Sequence, residues 1–404
     1  MLTFAKLIED VSEADLQRLI DAGTPESRTL EFKAELPGRT SEDHKELLRD
    51  VVAFSNGPGG HIIYGIEENN GVAGNLLGLP DTIVDDEILR LEHIIRTGIE
   101  PIIHGLKVRR IPLPVRGGNA VVIEIPPGLF GPHMIRNRGA FVARTSAGKM
   151  DMDFGEIRAA FVGAEAVIAK LNEFRHERTA RLIVGETIVP LISPAMLAIH
   201  ILPLQSFTPA FRCDLTRVSK DRSNSDLVIP RRAMWGWLPR FTHQGFVQAC
   251  TGGRTTGIST IYANMFRNGA IEVVDCDVTT SRNQKTVAAI AVEMASLQMV
   301  TNLLRALKQL EMQPPFYVFP TLLNIRDYKL LQIGYDGDPD VERPLSAEHL
   351  ILPEVVIEHY ECAIIEQLFR SPFDVLWNAA GWSGSPNYDR DGNYVPRWRD
   401  NLRQ

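Results

Sequence analysis

A helix pattern, a glycine-rich turn and an apolar strand follow one another near the N-terminus, and this succession constrains the fold more than any other feature. Apolar residues recur at helical spacing over 42–56, and the turn Asn56-Gly-Pro-Gly-Gly60 follows at once. Because glycine adopts positive φ and proline cannot continue a helix, this turn ends the helix. An apolar strand over 61–66 comes next, and an alternating strand pattern over 29–35 precedes the helix. The order predicts a β-α-β unit.

Further patterns extend this unit into one domain and separate it from a second. At 404 residues the chain is too long for one ordinary domain. A charged run from Lys170 to Arg181 is typical of a solvated helix end at a domain boundary. We predict a mixed-sheet domain over 1–165, a helical linker over 166–181 and an α+β domain over 182–404. The predicted fold class is therefore α+β or mixed α/β. The expected elements of the first domain are a helix over 1–22, a helix over 85–98, strands over 106–113, 119–126 and 139–145, and a helix from Asp153 to about residue 175.

The second domain shows strand patterns first and helix patterns later. The segment from Thr187 to Phe211 contains no Lys, Arg, Asp or Glu, but four prolines interrupt it. We interpret it as buried strands and not as a membrane span. No heptad run is long enough to predict a coiled coil. The expected elements are β structure over 182–280, a helix over 285–312, strands over 316–335 and a helix over 354–372.

Composition narrows the class of protein. A net charge of −7 argues against a chain that coats nucleic acid with its whole surface, although it allows a local basic groove. The four cysteines are far apart and form no C-x-x-C pair, so a structural zinc site or disulfide framework is not expected. The N-terminal residues acquire acids too early for a signal peptide. We expect a cytoplasmic protein.

Three glutamates and a lysine of the β-α-β unit are candidates for chemistry. Glu26 and Glu31 are five residues apart, which puts them on opposite faces of a straight strand. A bend at 23–25 would instead direct both into one cleft. Glu67 follows the second strand and would lie near Glu31 if the two strands are neighbours. Such carboxylates suit Mg²⁺ or Mn²⁺, and Lys33 would stabilise charge on a phosphate. The alternative is that these are surface acids at strand ends.

A basic stretch follows in the same domain. From His104 to Lys149 there are eight basic residues and one acid, Glu124. Such a stretch favours contact with phosphates, although an ordinary basic face is the alternative. The candidate nucleic-acid-binding residues are Arg109, Arg110, Arg136, Arg138, Arg144 and Lys149.

The compound pattern resembles a known family. The segments Glu26-Ser-x-x-x-Glu31-Phe-Lys33, Ala53-Phe-Ser-Asn56 and Gly59-Gly60-x-Ile-Ile-x-Gly65-Ile-Glu67 are similar to the AlbA-like domain of the Schlafen family, over roughly residues 20–160. In active members of that family, three acids coordinate a metal ion and the domain cleaves tRNA or other structured RNA. The resemblance implies these roles for Glu26, Glu31 and Glu67, with Mn²⁺ or Mg²⁺ as the cofactor. The third acid of the family is often aspartate, so Glu68 is the alternative register.

The resemblance implies a metal-dependent endoribonuclease that acts on tRNA or related RNA, as a bacterial anti-phage defence or toxin-like effector. Bacterial relatives also include DNA-binding regulators, so a non-catalytic nucleic-acid-binding regulator is the first alternative. A structural subunit of a multi-protein defence complex is the second. We expect a homo-oligomer or a partner protein, and a sensing, docking or oligomerisation role for 182–404.

Overall fold

A computed structural model describes most of the chain, and both of its parts mix helices and strands. It divides into two compact units, Met1–Ala166 and Val167–Gln404. The observed elements confirm the predicted mixed α+β class. The described residues are 8–80, 84–128, 131–145, 148–208, 211, 213–220, 237–251, 257–279, 285–331, 344–358, 360 and 365–396.

The first unit is built around the predicted β-α-β unit, and its last helix continues into the second unit. Its elements are α1 (Glu13–Asp21), β1 (Leu30–Lys33), α2 (Ser41–Ser55), β2 (Gly60–Tyr64), β3 (Ile66–Asn69), β4 (Val72–Leu76), α3 (Val84–Gly98), β5 (Ile99–Glu100), β6 (Lys107–Pro112), β7 (Asn119–Ile125), β8 (Met134–Ile135), β9 (Ala140–Thr145), β10 (Gly148–Asp151) and α4 (Phe154–Ile183).

The main sheet of this unit has the strand order β1-β2-β7-β6. Strand β1 is parallel to β2, with Glu31 opposite Ile62, and the other pairs are antiparallel. A second sheet has the order β10-β9-β8-β5. Helix α2 packs with Ile62 of the main sheet in one core and also contacts β9 and β10. On β1, Phe32 packs into the core on the opposite face of the main sheet. Successive side chains alternate along a strand, so Glu31 and Lys33 face α2.

The ends of α2 explain the sequence around it. Thr40 caps the N-terminus by accepting a hydrogen bond from the backbone N–H of Asp43 at 3.2 Å. After the helix, Gly60 has φ 157°, and a Cβ there would lie 2.4 Å from the carbonyl oxygen of Thr29. Only glycine therefore allows β1 and β2 to approach as they do.

The second unit is built around a large antiparallel sheet. The elements after α4 are β11 (Met196–Pro203), α5 (Thr216–Lys220), β12 (Trp237–Phe241), β13 (Gly245–Thr251), β14 (Ser259–Phe266), β15 (Ile271–Asp275), β16 (Thr286–Ala288), α6 (Ala289–Gln309), β17 (Phe316–Leu323), β18 (Lys329–Leu331), β19 (Leu350–Ile351), β20 (Val355–Ile357), α7 (Ile365–Leu368) and α8 (Arg370–Asn378). The strand order of the sheet is β12-β13-β14-β15-β11-β17-β19, and β20 also pairs with β17. Helix α6 packs against one face of this sheet in the largest core.

A buried ion-pair network lies on the sheet face opposite α6. Arg178 of α4 donates two hydrogen bonds of 2.9 Å to the carboxylate of Glu272. The Tyr262 hydroxyl donates to the same carboxylate at 2.8 Å, and His200 Nε2 lies 3.0 Å from it. Burial opposes ionisation of Glu272, but His200 and Arg178 outweigh it and hold its pKa at about 2. The network attaches the end of α4 to this sheet.

Some predicted elements differ from the structure. The predicted helix over 354–372 is wrong at its start, because Val355–Ile357 forms β20 beside β17. The predicted helix over 285–312 begins as strand β16. Of the predicted helix over 1–22, residues 1–7 lie outside the described residues, and α1 begins only at Glu13. The hairpin of β3 and β4 was not predicted.

Helix α4 runs through the region predicted as a linker, 166–181, and the division between the two units falls inside it. Among the residues that the structure describes, every helix is too short or too polar to cross a lipid bilayer.

Candidate functional site

Glu31 of β1 is held between two cations. Its side chain is only 9% exposed. Lys33 Nζ lies 2.8 Å from one carboxylate oxygen, and the Arg144 guanidinium donates to the other. Lys33 reaches Glu31 because residues two apart on a strand share a face. Both oxygens of Glu31 are therefore engaged.

The two cations also determine the charge of Glu31. Burial alone would favour the neutral acid. The hydrogen bonds and charges of Lys33 and Arg144 outweigh burial and lower the pKa of Glu31 below its ordinary value. Glu31 is therefore a carboxylate anion at neutral pH.

Arg144 is itself held in place by packing. Its guanidinium lies 4.5 Å from the centre of the Phe54 ring, a cation–π contact between β9 and the last turn of α2. In the antiparallel register of β9 and β10, Arg144 is directly opposite Lys149. The two basic side chains therefore share the sheet face that looks onto α2.

Two acids of α2 meet these cations. Lys149 donates hydrogen bonds to both Glu46 and Asp50, which are one helical turn apart. Asp50 is 1% exposed, and Lys33 Nζ lies 3.7 Å from its other oxygen. Asp50 thus connects a lysine of β1 with a lysine of β10. Neither Glu46 nor Asp50 was predicted as a site residue.

We call Glu31, Lys33, Glu46, Asp50, Arg144 and Lys149 the charged cluster. It contains three acids and three bases on four elements, so it is close to electrically neutral when all six are ionised. Burial, followed by repulsion from Glu31, raises the pKa of Asp50 to about 6. Burial opposes the charge of Lys33 and Lys149, but the neighbouring acids, Asp50 first among them, together outweigh it and raise the pKa of both lysines. Both lysines therefore stay protonated.

Glu26 lies at the edge of the cluster. Its carboxylate accepts a hydrogen bond of 2.9 Å from the backbone N–H of Phe32. Burial raises the pKa of Glu26, and repulsion by Glu31 and Glu68 adds to the effect. The charges of Glu31 and Glu68 therefore both act on Glu26.

The third predicted acid lies elsewhere. Glu31 is opposite Ile62, so Glu67 follows five residues later, beyond Gly65 on β3. There it accepts a hydrogen bond of 2.9 Å from the amide of Asn75 on β4. Glu68 accepts one from the backbone N–H of Gly71. Of the two candidates for the third acid, Glu67 and Glu68, it is Glu68 whose charge acts on Glu26.

These acids do not form a ready metal site in this arrangement. A divalent cation of this kind takes about six oxygen ligands, several of them from carboxylates. Among the described residues, no group of three or more His, Cys, Asp and Glu side chains is arranged to hold a metal ion. At Glu31 a metal ion would have to displace Lys33 or Arg144 from an oxygen.

The predicted basic residues divide into three pairs. Arg144 and Lys149 belong to the charged cluster. Arg109 donates to the carbonyl oxygen of Ile8 at 2.6 Å, and Arg110 pairs with Asp85 at 3.4 Å. Arg136 and Arg138 lie at the turn between β8 and β9, and both are exposed. The Arg136 side chain is 53% exposed and lies 3.5 Å from Glu100. This turn therefore carries two exposed arginines.

The Asn56 side chain organises the second sheet. Its amide donates to the carbonyl oxygens of His133 at 2.8 Å and Val142 at 3.0 Å. It accepts from the backbone N–H of His133 at 2.7 Å. Asn56 thereby holds β9, and with it Arg144, against α2.

The comparison with protein families agrees with the resemblance in the first unit. No curated protein matches the chain. One similar solved structure is the crystal structure of the DIP2311 protein from Corynebacterium diphtheriae, with 21% identity over 33% of this chain and 23% of that chain, and a TM-score of 0.25. The family model described as Schlafen, AlbA_2 matches residues 26–153, a range that holds Glu26 and the whole charged cluster. Such a domain indicates a function related to nucleic acid. Residues 26–153 are therefore a Schlafen AlbA_2 domain.

Proposed function

We propose that this domain is an endoribonuclease that cleaves tRNA or another structured RNA at the charged cluster. The observation that carries the proposal is the Glu31 carboxylate held between Lys33 and Arg144, with Glu26 close by. Acids and cations converge there on one face of β1, inside a domain related to nucleic acid.

The cluster supplies two requirements of phosphodiester cleavage. The transition state carries extra negative charge on the phosphate, which fixed cations stabilise. Lys33, 32% exposed, is the cation open to a substrate, and Arg144 lies behind it. A proton must also be moved, and a carboxyl with a raised pKa such as Glu26 suits that role. An RNA phosphate would compete with Glu31 for Lys33 and Arg144.

We keep Mn²⁺ or Mg²⁺ as the proposed cofactor, with Glu26, Glu31 and either Glu67 or Glu68 as its ligands. Such an ion, when bound, would polarise the phosphate. Both carboxylate oxygens of Glu31 are already paired, so binding of the metal ion requires one of the ion pairs at Glu31 to open. The proposal therefore includes a change of partners at Glu31.

RNA would be held by its backbone. Structured RNA is recognised mostly by shape and by contacts to phosphate and 2′-hydroxyl groups. Arg136 and Arg138 are the exposed cations best placed to make such contacts, since Arg144 and Lys149 are paired within the cluster. We extend the proposal to a role as an effector of bacterial anti-phage defence or as a toxin.

A non-catalytic nucleic-acid-binding regulator, on RNA or DNA, is the second candidate. The observation that favours it is that each acid of the charged cluster is already paired with a base. A cluster of this kind also serves as a rigid support for the exposed arginines. A structural subunit of a larger complex would share these features.

The test is cleavage of purified tRNA by the wild type and by Glu31→Gln, with Mn²⁺ and separately with EDTA. Glu92→Gln is the matched control, because Glu92 is an exposed carboxylate on α3 of the same unit. We expect metal-dependent cutting by the wild type and by the control, and its loss in Glu31→Gln. Equal cutting by wild type and Glu31→Gln would refute the site. RNA binding without cutting by any of the three would favour the regulator.

A further inference from the structure

An apolar patch lies exposed on the first unit, where β10 leads into α4. Phe154 is 81% exposed, Val162 57%, Met150 54% and Phe161 48%. Phe154 and Phe161 are seven residues apart, so they lie two turns apart on the same side of α4. We call these four residues the α4 patch.

The α4 patch lies on the side of β9 and β10 away from the charged cluster. The ring of Phe161 contacts that of Phe141 on β9, with centroids 6.3 Å apart. Met150 is opposite Ala143, two residues after Phe141, and therefore shares its face. Arg144 and Lys149 point to the opposite face, towards α2. The patch is thus independent of the proposed catalytic residues.

Exposure of this kind is unusual for a surface that meets only water. Single exposed apolar residues are ordinary, but contiguous groups of large ones mark interaction surfaces. Helix α2 of the same unit, by contrast, buries all its large apolar side chains from Leu47 to Phe54. The first turns of α4 therefore have the composition of an interface.

The charges beside the α4 patch indicate what covers it. Arg158 and Glu165 are exposed and seven residues apart, on the same side of α4 as Phe154 and Phe161. The midpoint between them falls at Phe161 and Val162. If two α4 helices pair in antiparallel orientation about that point, Arg158 of each copy meets Glu165 of the other. Parallel pairing in register would place like charges together. The charges on this side of α4 are therefore complementary to those of a second, antiparallel copy of the helix.

We propose that a second copy of this chain docks on the α4 patch, with the two α4 helices antiparallel and the Arg158–Glu165 pairs formed twice. The apolar side chains supply the attraction, and the two charge pairs fix the orientation. A patch made mainly by one helix is smaller than a standard interface of roughly 800 Å² per partner. We therefore expect a dissociation constant on the order of micromolar.

Sedimentation velocity of the full chain across a concentration series up to roughly 100 µM tests the proposal. The variants are Arg158→Glu, Glu165→Arg and the double variant that exchanges both charges. Lys170→Glu is the control, because helical spacing puts residue 170 on the far side of α4. Far-UV circular dichroism verifies that each variant is folded.

We expect the wild type to approach twice the 45.1 kDa of one chain as the concentration rises. Each single reversal should weaken association by at least roughly tenfold, and the double exchange should restore it. The control should associate like the wild type. A wild type that stays monomeric would overturn the proposal. A dimer that the single reversals do not weaken, or that the double exchange does not restore, would also overturn it.

Discussion

The pairing of Glu31 with Arg144 makes a quantitative prediction, because it joins a strand of the main sheet to a strand of the second sheet. Glu31→Gln keeps the shape of the side chain and removes its negative charge. Arg144, whose side chain is 10% exposed, then faces a neutral amide. Arg144→Gln makes the complementary change and leaves Glu31 with Lys33 alone. The double variant completes a thermodynamic cycle.

The structure sets the size of the effect. Breaking a buried ion pair by removing one partner costs roughly 3–5 kcal/mol. Lys33 limits the loss, because it is 32% exposed and has Asp50 as a second partner. We therefore expect each single variant to lower the free energy of unfolding of the first unit by about 3 kcal/mol. The coupling energy between Glu31 and Arg144 should be about 2 kcal/mol.

The assay must report on the first unit alone. All five tryptophans, at positions 235, 237, 377, 382 and 398, fall in the residue range of the second unit, so we use their fluorescence to follow that unit. Hydrogen exchange followed by mass spectrometry on peptides from β1 and α2 gives the opening free energy of the relevant backbone. Tryptophan fluorescence in urea is the internal control and should be unchanged in all variants.

The same cycle on Glu31 and Lys33 is the matched comparison. Because Lys33 is more exposed, its coupling to Glu31 should be below about 1 kcal/mol. A coupling energy between Glu31 and Arg144 under about 0.5 kcal/mol would contradict this prediction, since the two residues would then not stabilise each other.

Three further predictions concern stability and pH. Burial and Glu31 raise the pKa of Asp50 from 3.8 to about 6, so the unfolded state loses this proton at lower pH than the folded state. As pH rises from 3.8 to about 6, the free energy of unfolding of the wild type should therefore fall by about 3 kcal/mol relative to that of Asp50→Asn. Hydrogen exchange of α2 measures this difference. Asn56→Ala removes three hydrogen bonds to the backbone of His133 and Val142 and should cost about 3 kcal/mol in urea titrations followed by circular dichroism. Glu272, with its pKa lowered from 4.5 to about 2, stabilises the second unit above pH 4.5, and this contribution should fade as pH drops towards 2. The difference in free energy of unfolding between the wild type and Glu272→Gln should therefore shrink over this pH range. Tryptophan fluorescence of both proteins measures it.

Local rules predicted the part of the site that lies on one element. Glu31 and Lys33 are two residues apart on a strand, so their common face follows from the alternation of side chains. The glycines after α2 were predicted as a turn for the same kind of reason, since positive φ favours glycine.

The partners of α2 could not be predicted in this way. Asp50 meets Lys149, 99 residues away, only because α2 packs against both sheets. In the sequence, a carboxylate that becomes buried on an amphipathic helix, such as Asp50, does not differ from an exposed acid. The position of Glu67 depends on the register of β1 and β2, which places Ile62 opposite Glu31. The start of the predicted helix over 354–372 failed because pairing with β17 determines the structure of Val355–Ile357.

Single-turnover cleavage of end-labelled tRNA, with binding measured in parallel, is the decisive test of the charged cluster as a catalytic site. Wild type, Glu31→Gln and Glu92→Gln are compared at saturating protein. We predict that all three bind the RNA and that Glu31→Gln alone loses cleavage, by roughly a hundredfold or more. If Glu31→Gln binds and cleaves at the rate of the wild type, the charged cluster is not a catalytic site.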